Sequence, residues 1–474
     1  MNWIDLSIFI FYTLCMLGVG IYFFKQNKND DDYYVGGRNM SAGHIGLSVV
    51  ATDVGGGFSI GLGGLGFTMG LSGSWMLFTG LIGAWMSSVW LIPKVFGTAQ
   101  KKGLLSFPQA LEHFYSPRVA LIAGVISLIG YIGFTSSQLL AGAKLASATF
   151  GDLSLQTAIL LMGVIAVVYT VFGGLKAVIY TDSIQWAILL IGLIGIGIPL
   201  GFQKIGGFDG LAAVVDPKML SLSNLSISDM INWFITIVPI WFVGMTLYQR
   251  IYACKDEKTA IRAWRIAGLF EWPIMAFMGV LLGLFAKVAF EQGLFADLGY
   301  PSAEGLDAEM GLPLFLRETL PVGLMGLMLS AYFSAILSTA DSCLMAASGN
   351  LTTDILGRYR SKKKGLKHAQ LYTFAIGGFA LLLAYSMENV LSLMLHSYAF
   401  MVSGLLIPVL AMIFIKNPSE KACIAAMVVG GGLTLSLILL DISLPYQLDA
   451  NLFGLSAAGL IFFTIQYFEK IKSS

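Results

Sequence analysis

Residues 334–348, SAILSTADSCLMAAS, place an aspartate in a run of small and apolar residues. In a helix, Ser338, Asp341 and Ser342 share one face because they stand at positions i, i+3 and i+4, and Thr339 lies at the edge of that face. Carboxylate and hydroxyl oxygens suit a small hard cation. Two interpretations are open for the hydroxyls: they ligate a cation, or they bond back to a carbonyl one turn earlier. The second interpretation leaves Asp341 unexplained.

A run of glycines follows a second aspartate in ATDVGGG, residues 51–57. Each of the three glycines disfavours a helix by about 1 kcal/mol relative to alanine, which predicts an unwound segment. In a membrane, a broken helix is tolerated where its freed carbonyls line a cavity. Close helix packing through the GxxxG pair Gly57 and Gly61 is the alternative. Asp53 favours a site, because an intramembrane carboxylate costs at least about 2.5 kcal/mol and rarely faces lipid.

The composition requires a membrane around these two stretches. The chain is 57% hydrophobic and only 12% charged, with a mean hydropathy of +0.79. Its apolar runs reach the roughly 20 residues that cross a bilayer core. We predict an all-α polytopic membrane protein, residues 1–474 forming a single transmembrane domain, whose first helix is retained and is not a cleaved signal peptide. The 13 predicted spans are residues 4–24, 42–68, 73–97, 117–147, 155–172, 180–201, 229–250, 264–290, 321–351, 369–387, 389–415, 420–440 and 449–467.

The distribution of lysine and arginine predicts the orientation. Most basic residues fall in loops that lie inside if the N-terminus is outside, and an odd number of spans then puts the C-terminus in the cytoplasm. We therefore expect a multi-pass protein of the cell (inner) membrane. A net charge of +1 with dispersed basic residues does not favour a nucleic-acid partner. The four cysteines have no CxxC spacing, so they predict neither a disulfide framework nor a zinc site.

Several functional classes find no support in the sequence. It has no GxxxxGK[ST] motif for ATP-driven transport, so a gradient must supply the energy or the protein is passive. Its four histidines are isolated, and no nucleophile, base and orienting group stand together, so we do not expect an enzyme. A sensor would need an output domain, which we do not find before the final short basic tail. A channel would conduct without saturation, whereas a symporter shows saturable, gradient-driven uptake.

Four linked motifs resemble those of the sodium:solute symporter family. They are ATDVGGG at 51–57, VFGGLKAVIYTDSIQ at 171–185, LYQR at 247–250 and AILSTADS at 335–342. The resemblance extends from about residue 5 to about residue 465, with the motifs in the expected order and spacing. The family includes sodium-coupled sugar, proline, pantothenate, sialic acid and choline transporters. VGGR at 35–38, VGGG at 54–57 and TADS at 339–342 are most similar to the choline-transporter branch and its bacterial relatives.

The resemblance implies a leucine-transporter-type fold of two inverted five-helix repeats. The first repeat would cover about residues 42–201 and the second about 229–415, with one extra N-terminal and two extra C-terminal helices. Broken helices at the start of each repeat would then place the substrate near the midplane. In the second repeat we expect the break in IVPIWFVGMT, residues 237–246, at Pro239 or Gly244. A helix continuing through a proline kink is the alternative.

The resemblance also implies sodium ligands. The shared site would use the carbonyls of Ala51, Val54 and Ala335 and the hydroxyls of Ser338 and Thr339. A second sodium site, as in sialic acid transporters, would use Asp182, Ser338, Asp341 and Ser342. Asp341 stands where a serine is usual in that type. Two alternatives stay open: Asp182 is solvated at the inner membrane boundary, and Asp341 makes a structural bond to a nearby helix.

We therefore predict a sodium-coupled secondary active symporter that imports a small organic solute by alternating access. The solute would be an amino acid, an amine or choline-like compound, or a carboxylate. The alternatives are a sugar or monocarboxylate symporter of the same family, or a membrane sensor or channel. We expect a monomer with sodium, the solute and the lipid bilayer as its partners. The candidate substrate-binding residues are Asp53, Gly55, Gln138, Trp241 and Tyr398. Choline transporters carry tryptophans at Asp53 and near Gly244, whereas Asp53 itself resembles the proline type.

Overall fold

The computed structural model describes residues 2–26, 30–53, 55–151, 153–172, 175–300, 306–358 and 366–473. Within these ranges the regular structure is helical, apart from one isolated β-bridge between Met40 and Cys254. The helices of the first half are α1 Trp3–Gln26, α2 Asp30–Val35, α3 Ala42–Asp53, α4 Gly55–Met69, α5 Trp75–Trp90, α6 Ile92–Lys102, α7 Phe107–Phe114, α8 Pro117–Thr149, α9 Leu155–Phe172, α10 Leu175–Gly192 and α11 Ile198–Lys204.

Within the described residues, the second half continues with eleven helices and shorter segments. The helices are α12 Gly207–Val214, α13 Ile227–Val243, α14 Met245–Ala253, α15 Glu257–Leu269, α16 Ala276–Glu291, α17 Ala308–Thr319, α18 Leu324–Gly349, α19 Leu366–Tyr385, α20 Val390–Phe414, α21 Glu420–Leu439 and α22 Ala450–Ser473. Three π-helical segments occupy Leu193–Gly197, Phe270–Met275 and Asn350–Ile355. Short 3₁₀ turns lie at Gly36–Arg38, Gly70–Ser74, Pro217–Leu220, Ala296–Leu298, Leu356–Arg358 and Pro445–Gln447.

Each predicted span falls on one or two of these helices. Fewer helical runs, however, are both long and apolar enough to cross a membrane. Within the described ranges eight helical runs are long and apolar enough to cross a membrane, or nine if α13 and α14, bent by 44°, form one span. Three shorter apolar helices are Trp3–Met16, Leu155–Val168 and Gln370–Tyr385. The protein is therefore a multi-pass helical membrane protein. One helical run, Ser59–Trp90, joins parts of the predicted spans 42–68 and 73–97, which lowers the number of separate membrane-crossing runs.

Helix α18 lies at the centre of the molecule. It packs against α8, α10, α1, α4, α19 and α9. In the helical run Leu324–Ile355, 94% of the most apolar stretch is buried inside the protein. The polar residues of α18 therefore face other helices instead of lipid. Asp5 of α1 fixes the start of α18, because its carboxylate accepts hydrogen bonds from the amides of Gly323 (2.7 Å) and Gly326 (2.8 Å). These two amides would otherwise lack partners at the helix end.

Two helices are broken where the sequence predicts a break. The first lies between Asp53, the last residue of α3, and Gly55, which starts α4 with a φ of +47°. That left-handed conformation suits glycine, which has no Cβ. The second lies at Gly244, which leaves the helical region with a ψ of 115°. Pro239 does not end its helix, since α13 continues through it to Val243. Of the two predicted positions, Gly244 is therefore the break.

Candidate functional site

The first break touches α18 at Thr339. The Thr339 hydroxyl lies 3.1 Å from the carbonyl oxygen of Ala51, at the end of α3, and 3.1 Å from that of Ala335, one turn earlier in α18. A Cβ placed on Gly55 would lie 2.7 Å from the same hydroxyl, so only glycine allows this approach. One hydroxyl proton cannot fully satisfy two carbonyls. Three oxygens therefore converge at the break, in an arrangement that suits a small cation.

The remaining predicted ligands of the shared site are placed differently. Ser338 donates its hydroxyl to Asp182 of α10 and not toward the break. Val54 lies outside the described residues. Ala51, Ala335 and Thr339 are thus the predicted ligands that the structure brings together.

Asp182 lies in a buried polar cluster that contacts Ser338, the residue before Thr339. Its side chain is 1% exposed and accepts hydrogen bonds from Ser338 and from Ser48 of α3, the latter at 2.5 Å. The guanidinium of Arg250 stands 3.7 Å from the same carboxylate. The alternative in which Asp182 is solvated at the inner boundary is therefore wrong. Burial with two hydroxyls and a cation keeps this carboxylate compensated.

Arg250 connects the three elements of the site. From α14 it donates to Thr52 at 2.5 Å, to Ser48 at 3.0 Å and to Ser342 at 3.1 Å. Its side chain is fully buried. The predicted span 229–250 ends at Arg250, whereas α14 continues to Ala253 and holds Arg250 inside the protein. The one sequence signal for its role was the LYQR motif.

Asp341 is buried without a hydrogen-bond partner among the described residues. It is 0% exposed, and within the described part of the chain neither carboxylate oxygen has a hydrogen-bond partner. Thr170 of α9 lies beside it, but its hydroxyl donates to the carbonyl of Ala166 at 2.8 Å. Asp182 and Arg250 are within electrostatic range. A buried charge without a partner costs several kcal/mol, so this position calls for a proton or a cation.

A second pair of carboxyl groups lies at the first break. Asp53 ends α3 and is 5% exposed, and Glu271, in the π-helical segment between α15 and α16, is 0% exposed. The two carboxyl groups are direct neighbours. Sequence reasoning selected Asp53 but missed Glu271. The available signal was a charged residue inside the predicted span 264–290.

The other candidate substrate residues are all buried near the centre. Tyr398 of α20 packs edge-on against Phe134, with ring centroids 5.0 Å apart, and lies within electrostatic range of Asp53. Gln138 of α8 donates to the hydroxyl of Ser137 at 3.3 Å. Trp241 of α13 packs edge-on against Trp264, with centroids 6.2 Å apart. Two surface clefts of about 770 and 540 Å³ include none of these residues.

Broken helices with carbonyl, hydroxyl and carboxylate oxygens at buried depth are typical of secondary transporters. The chain belongs to the sodium:solute symporter family, whose model matches residues 33–430. It is therefore a membrane transporter of a symporter family and not an enzyme. The high-affinity proline transporter PutP of Bacillus subtilis is 28% identical over 430 residues, which cover 88% of each chain. The sodium/glucose cotransporter of Vibrio parahaemolyticus is 27% identical and covers 94% of this chain and 87% of its own.

The fold is similar to that of a solved sodium-coupled transporter. A Na⁺-coupled sialic acid symporter, in a substrate-bound outward-open state, matches with a TM-score of 0.80 at 22% identity over 98% of each chain. A nucleobase-cation-symport-1 family transporter matches with a TM-score of 0.54 at 14% identity, covering 94% of this chain and 96% of its own. At these identities the likeness is one of fold.

Replacing Gly55 by alanine should damage the cation site more than the rest of the protein. A Cβ there meets the Thr339 hydroxyl at 2.7 Å and strains a φ of +47°, at a cost of about 1–3 kcal/mol. We expect the sodium concentration for half-maximal uptake to rise about tenfold, measured in proteoliposomes. Gly43→Ala in α3 is the control, because its Cβ would meet no atom within 4 Å. Equal sodium dependence in both variants would show that the close approach of Gly55 to Thr339 is not needed for sodium binding.

Removing Arg250 should destabilise the protein through Asp182. Arg250→Ala leaves a buried carboxylate without its cation, for which we expect a loss of about 3–5 kcal/mol in the free energy of unfolding. Arg262→Ala, at an exposed position of α15, is the control. Adding Asp182→Asn to Arg250→Ala should restore part of the loss. The measurement is the denaturation midpoint in detergent, and a variant as stable as Arg262→Ala would show that the pair is not stabilising.

Proposed function

We propose that this protein imports a small organic solute by sodium-coupled symport with alternating access. The observation that carries the proposal is the convergence of the Ala51 and Ala335 carbonyls on the Thr339 hydroxyl at the break between α3 and α4. With Val54 these residues would form the shared sodium site. The family resemblance also implies Ser338 as a ligand, although its hydroxyl donates to Asp182 in this structure. Sodium would be the coupling ion.

A second sodium site is proposed around Asp341, with Asp182, Ser338 and Ser342. The geometry that supports it is the unpartnered Asp341 carboxylate next to the Asp182 cluster. Arg250 offsets the charge of Asp182, so Asp341 supplies the net negative charge of the group. Two carboxylates in a low-dielectric site repel each other unless a cation lies between them. A sodium ion there would remove that repulsion.

We propose the fold to be a leucine-transporter-type pair of inverted repeats with 13 transmembrane helices. The repeats would cover about residues 42–201 and 229–415. In support, the first helix of each proposed repeat is broken, between Asp53 and Gly55 and at Gly244. The N-terminus would face the outside and the C-terminus the cytoplasm of the cell (inner) membrane, because that orientation leaves the basic loops inside. A monomer would suffice, because each proposed ligand comes from one chain.

Sodium would act by joining elements that separate during the cycle. The shared site spans α3 and α18, and the Asp182 cluster spans α3, α10 and α18. An ion bound between such elements shifts the conformational equilibrium only by its different affinity for the two states. Sodium, concentrated outside, would favour the outward-open state and order the solute pocket. Release inside would then free both ion and solute.

The test is uptake into proteoliposomes containing the purified protein. Radiolabelled amino acids, quaternary amines, sugars and monocarboxylates would be offered with an inward sodium gradient or an equal potassium gradient. We expect one solute class to show saturable uptake that needs sodium. Uptake of equal rate under both gradients would contradict sodium coupling, and uptake that never saturates would indicate a channel.

A further inference from the structure

Asp53 and Glu271 present two carboxyl groups to each other inside the protein. Within the described residues neither group forms an ion pair, and both oxygens of Glu271 lack a hydrogen-bond donor. The buried cation nearby, Arg250, pairs with Asp182 and donates to Thr52, the residue before Asp53. Buried carboxyl oxygens normally have hydrogen-bond donors, so the two unpartnered oxygens of Glu271 mark a position where a donor is missing.

Helix α5 leaves room for the Glu271 side chain. A Cβ on Gly80 would lie 1.7 Å from Oε2 of Glu271, so the carboxyl group rests directly on the glycine backbone. One turn later, a Cβ on Gly83 would lie 2.5 Å from the indole ring of Trp241. Gly80 and Gly83 are on the same face of α5, because they are three residues apart. The Glu271 carboxyl and the Trp241 ring therefore lie one helical turn from each other.

Aromatic residues also lie near the pair. Tyr398 lies within electrostatic range of both Asp53 and Glu271. The indole nitrogen of the fully buried Trp241 has no hydrogen-bond partner within the described part of the chain. This environment differs from the break, where backbone carbonyls and a hydroxyl converge on Thr339. Carbonyl and hydroxyl oxygens suit sodium, whereas carboxylates beside aromatic rings suit an organic cation.

We propose that Asp53 and Glu271 together bind a positively charged nitrogen of the transported solute, with Trp241 and Tyr398 packed around it. This inference rests on the proposed transport function and specifies its substrate class as a small organic amine or quaternary ammonium compound. A carboxylate next to that nitrogen would be repelled by the pair. Asp53 alone resembles the proline type, but Glu271 adds a second carboxyl group, so we expect a cationic nitrogen without an adjacent carboxylate, unlike an α-amino acid.

Binding to the purified full-length protein in sodium-containing detergent solution tests this inference. Each cationic probe has a neutral counterpart of similar shape: choline with 3,3-dimethyl-1-butanol, and putrescine with 1,4-butanediol. L-Proline and D-glucose represent zwitterionic and neutral solutes. We expect one of the two cations to bind at least about 100-fold more tightly than its counterpart, as measured by titration calorimetry.

Three variants identify the residues responsible. Glu271→Gln and Asp53→Asn should each weaken binding of the cation by about tenfold or more, without lowering the denaturation midpoint of the ligand-free protein. Gly80→Ala should weaken binding similarly, because its Cβ displaces the Glu271 carboxyl. Glu291→Gln, at an exposed glutamate paired with Lys287, and Gly97→Ala, whose Cβ meets no atom within 4 Å, are the matched controls.

Preferential binding of L-proline, D-glucose or a neutral counterpart would overturn the inference, as would unchanged affinity in Glu271→Gln. Repeating the titration in potassium separates this inference from the proposed function. Cation binding of equal strength in sodium and potassium would support the amine site and contradict sodium coupling. Sodium-dependent binding of a neutral solute would support sodium coupling and contradict the amine site.

Discussion

Replacing Ser338 and Thr339 together by alanine should raise the sodium concentration for half-maximal uptake by at least about tenfold, while the protein stays folded. Thr339 supplies the hydroxyl on which the Ala51 and Ala335 carbonyls converge, and Ser338 supplies a hydroxyl to the Asp182 cluster. Each tenfold rise in that sodium concentration corresponds to a loss of about 1.4 kcal/mol in the free energy of sodium binding. The measurement is initial uptake into proteoliposomes over a range of sodium concentrations.

Ser330→Ala is the matched control for that double variant. Ser330 lies on the same helix and is fully buried, but its hydroxyl bonds back to the carbonyl of Gly326 at 2.5 Å. It should therefore keep the sodium dependence of the unmodified protein. A well-folded Ser338→Ala, Thr339→Ala protein with unchanged sodium dependence would remove these hydroxyls from the site.

Replacing Asp341 by alanine should reduce the number of sodium ions transported per solute from two to one. Asp341 is fully buried, and within the described ranges neither of its carboxylate oxygens has a hydrogen-bond partner. The loss removes the anionic ligand of the proposed second site and leaves the oxygens around Thr339 in place. Double-label flux of ²²Na⁺ and solute in proteoliposomes gives the ratio directly, whatever the charge of the solute.

The control for Asp341 is Asp297→Ala, which removes an exposed carboxylate from a 3₁₀ turn between α16 and α17. Its ratio should remain two. A ratio of one in the unmodified protein would exclude a second transported sodium ion. A ratio of two in Asp341→Ala would place the second ion elsewhere.

The parts of the fold with local causes could be predicted from the sequence. Apolar runs long enough for a bilayer located the helices, and the glycines at 55–57 located the first break. Gly244 and Pro239 were alternatives for the second, and the sequence could not separate them because both disfavour a helix. The face shared by Ser338, Asp341 and Ser342 follows from helical spacing alone. The number of membrane spans was harder to predict from the sequence, because one helical run joins parts of two predicted spans.

The parts of the site with long-range causes could not be predicted. Asp182 meets Ser48 and Ser338 across 134 and 156 residues of chain, and Arg250 meets Ser48 across 202. A charged residue at a span boundary looks the same in sequence whether it is solvated or paired, so the sequence could not show that Arg250 is buried. Glu271 was missed for a related reason. Its neighbour Asp53 comes from another helix, and helical periodicity relates only residues of one helix.

Direct binding of sodium to the purified protein tests the central claim most closely. The claim is that sodium binds where the break after α3 meets α18. With ²²Na⁺ and no solute present, we predict saturable binding that excess unlabelled sodium displaces and potassium does not. Ser330→Ala should bind equally, and Ser338→Ala, Thr339→Ala should show a large loss. Absence of saturable binding, or equal binding in that double variant, would contradict the account.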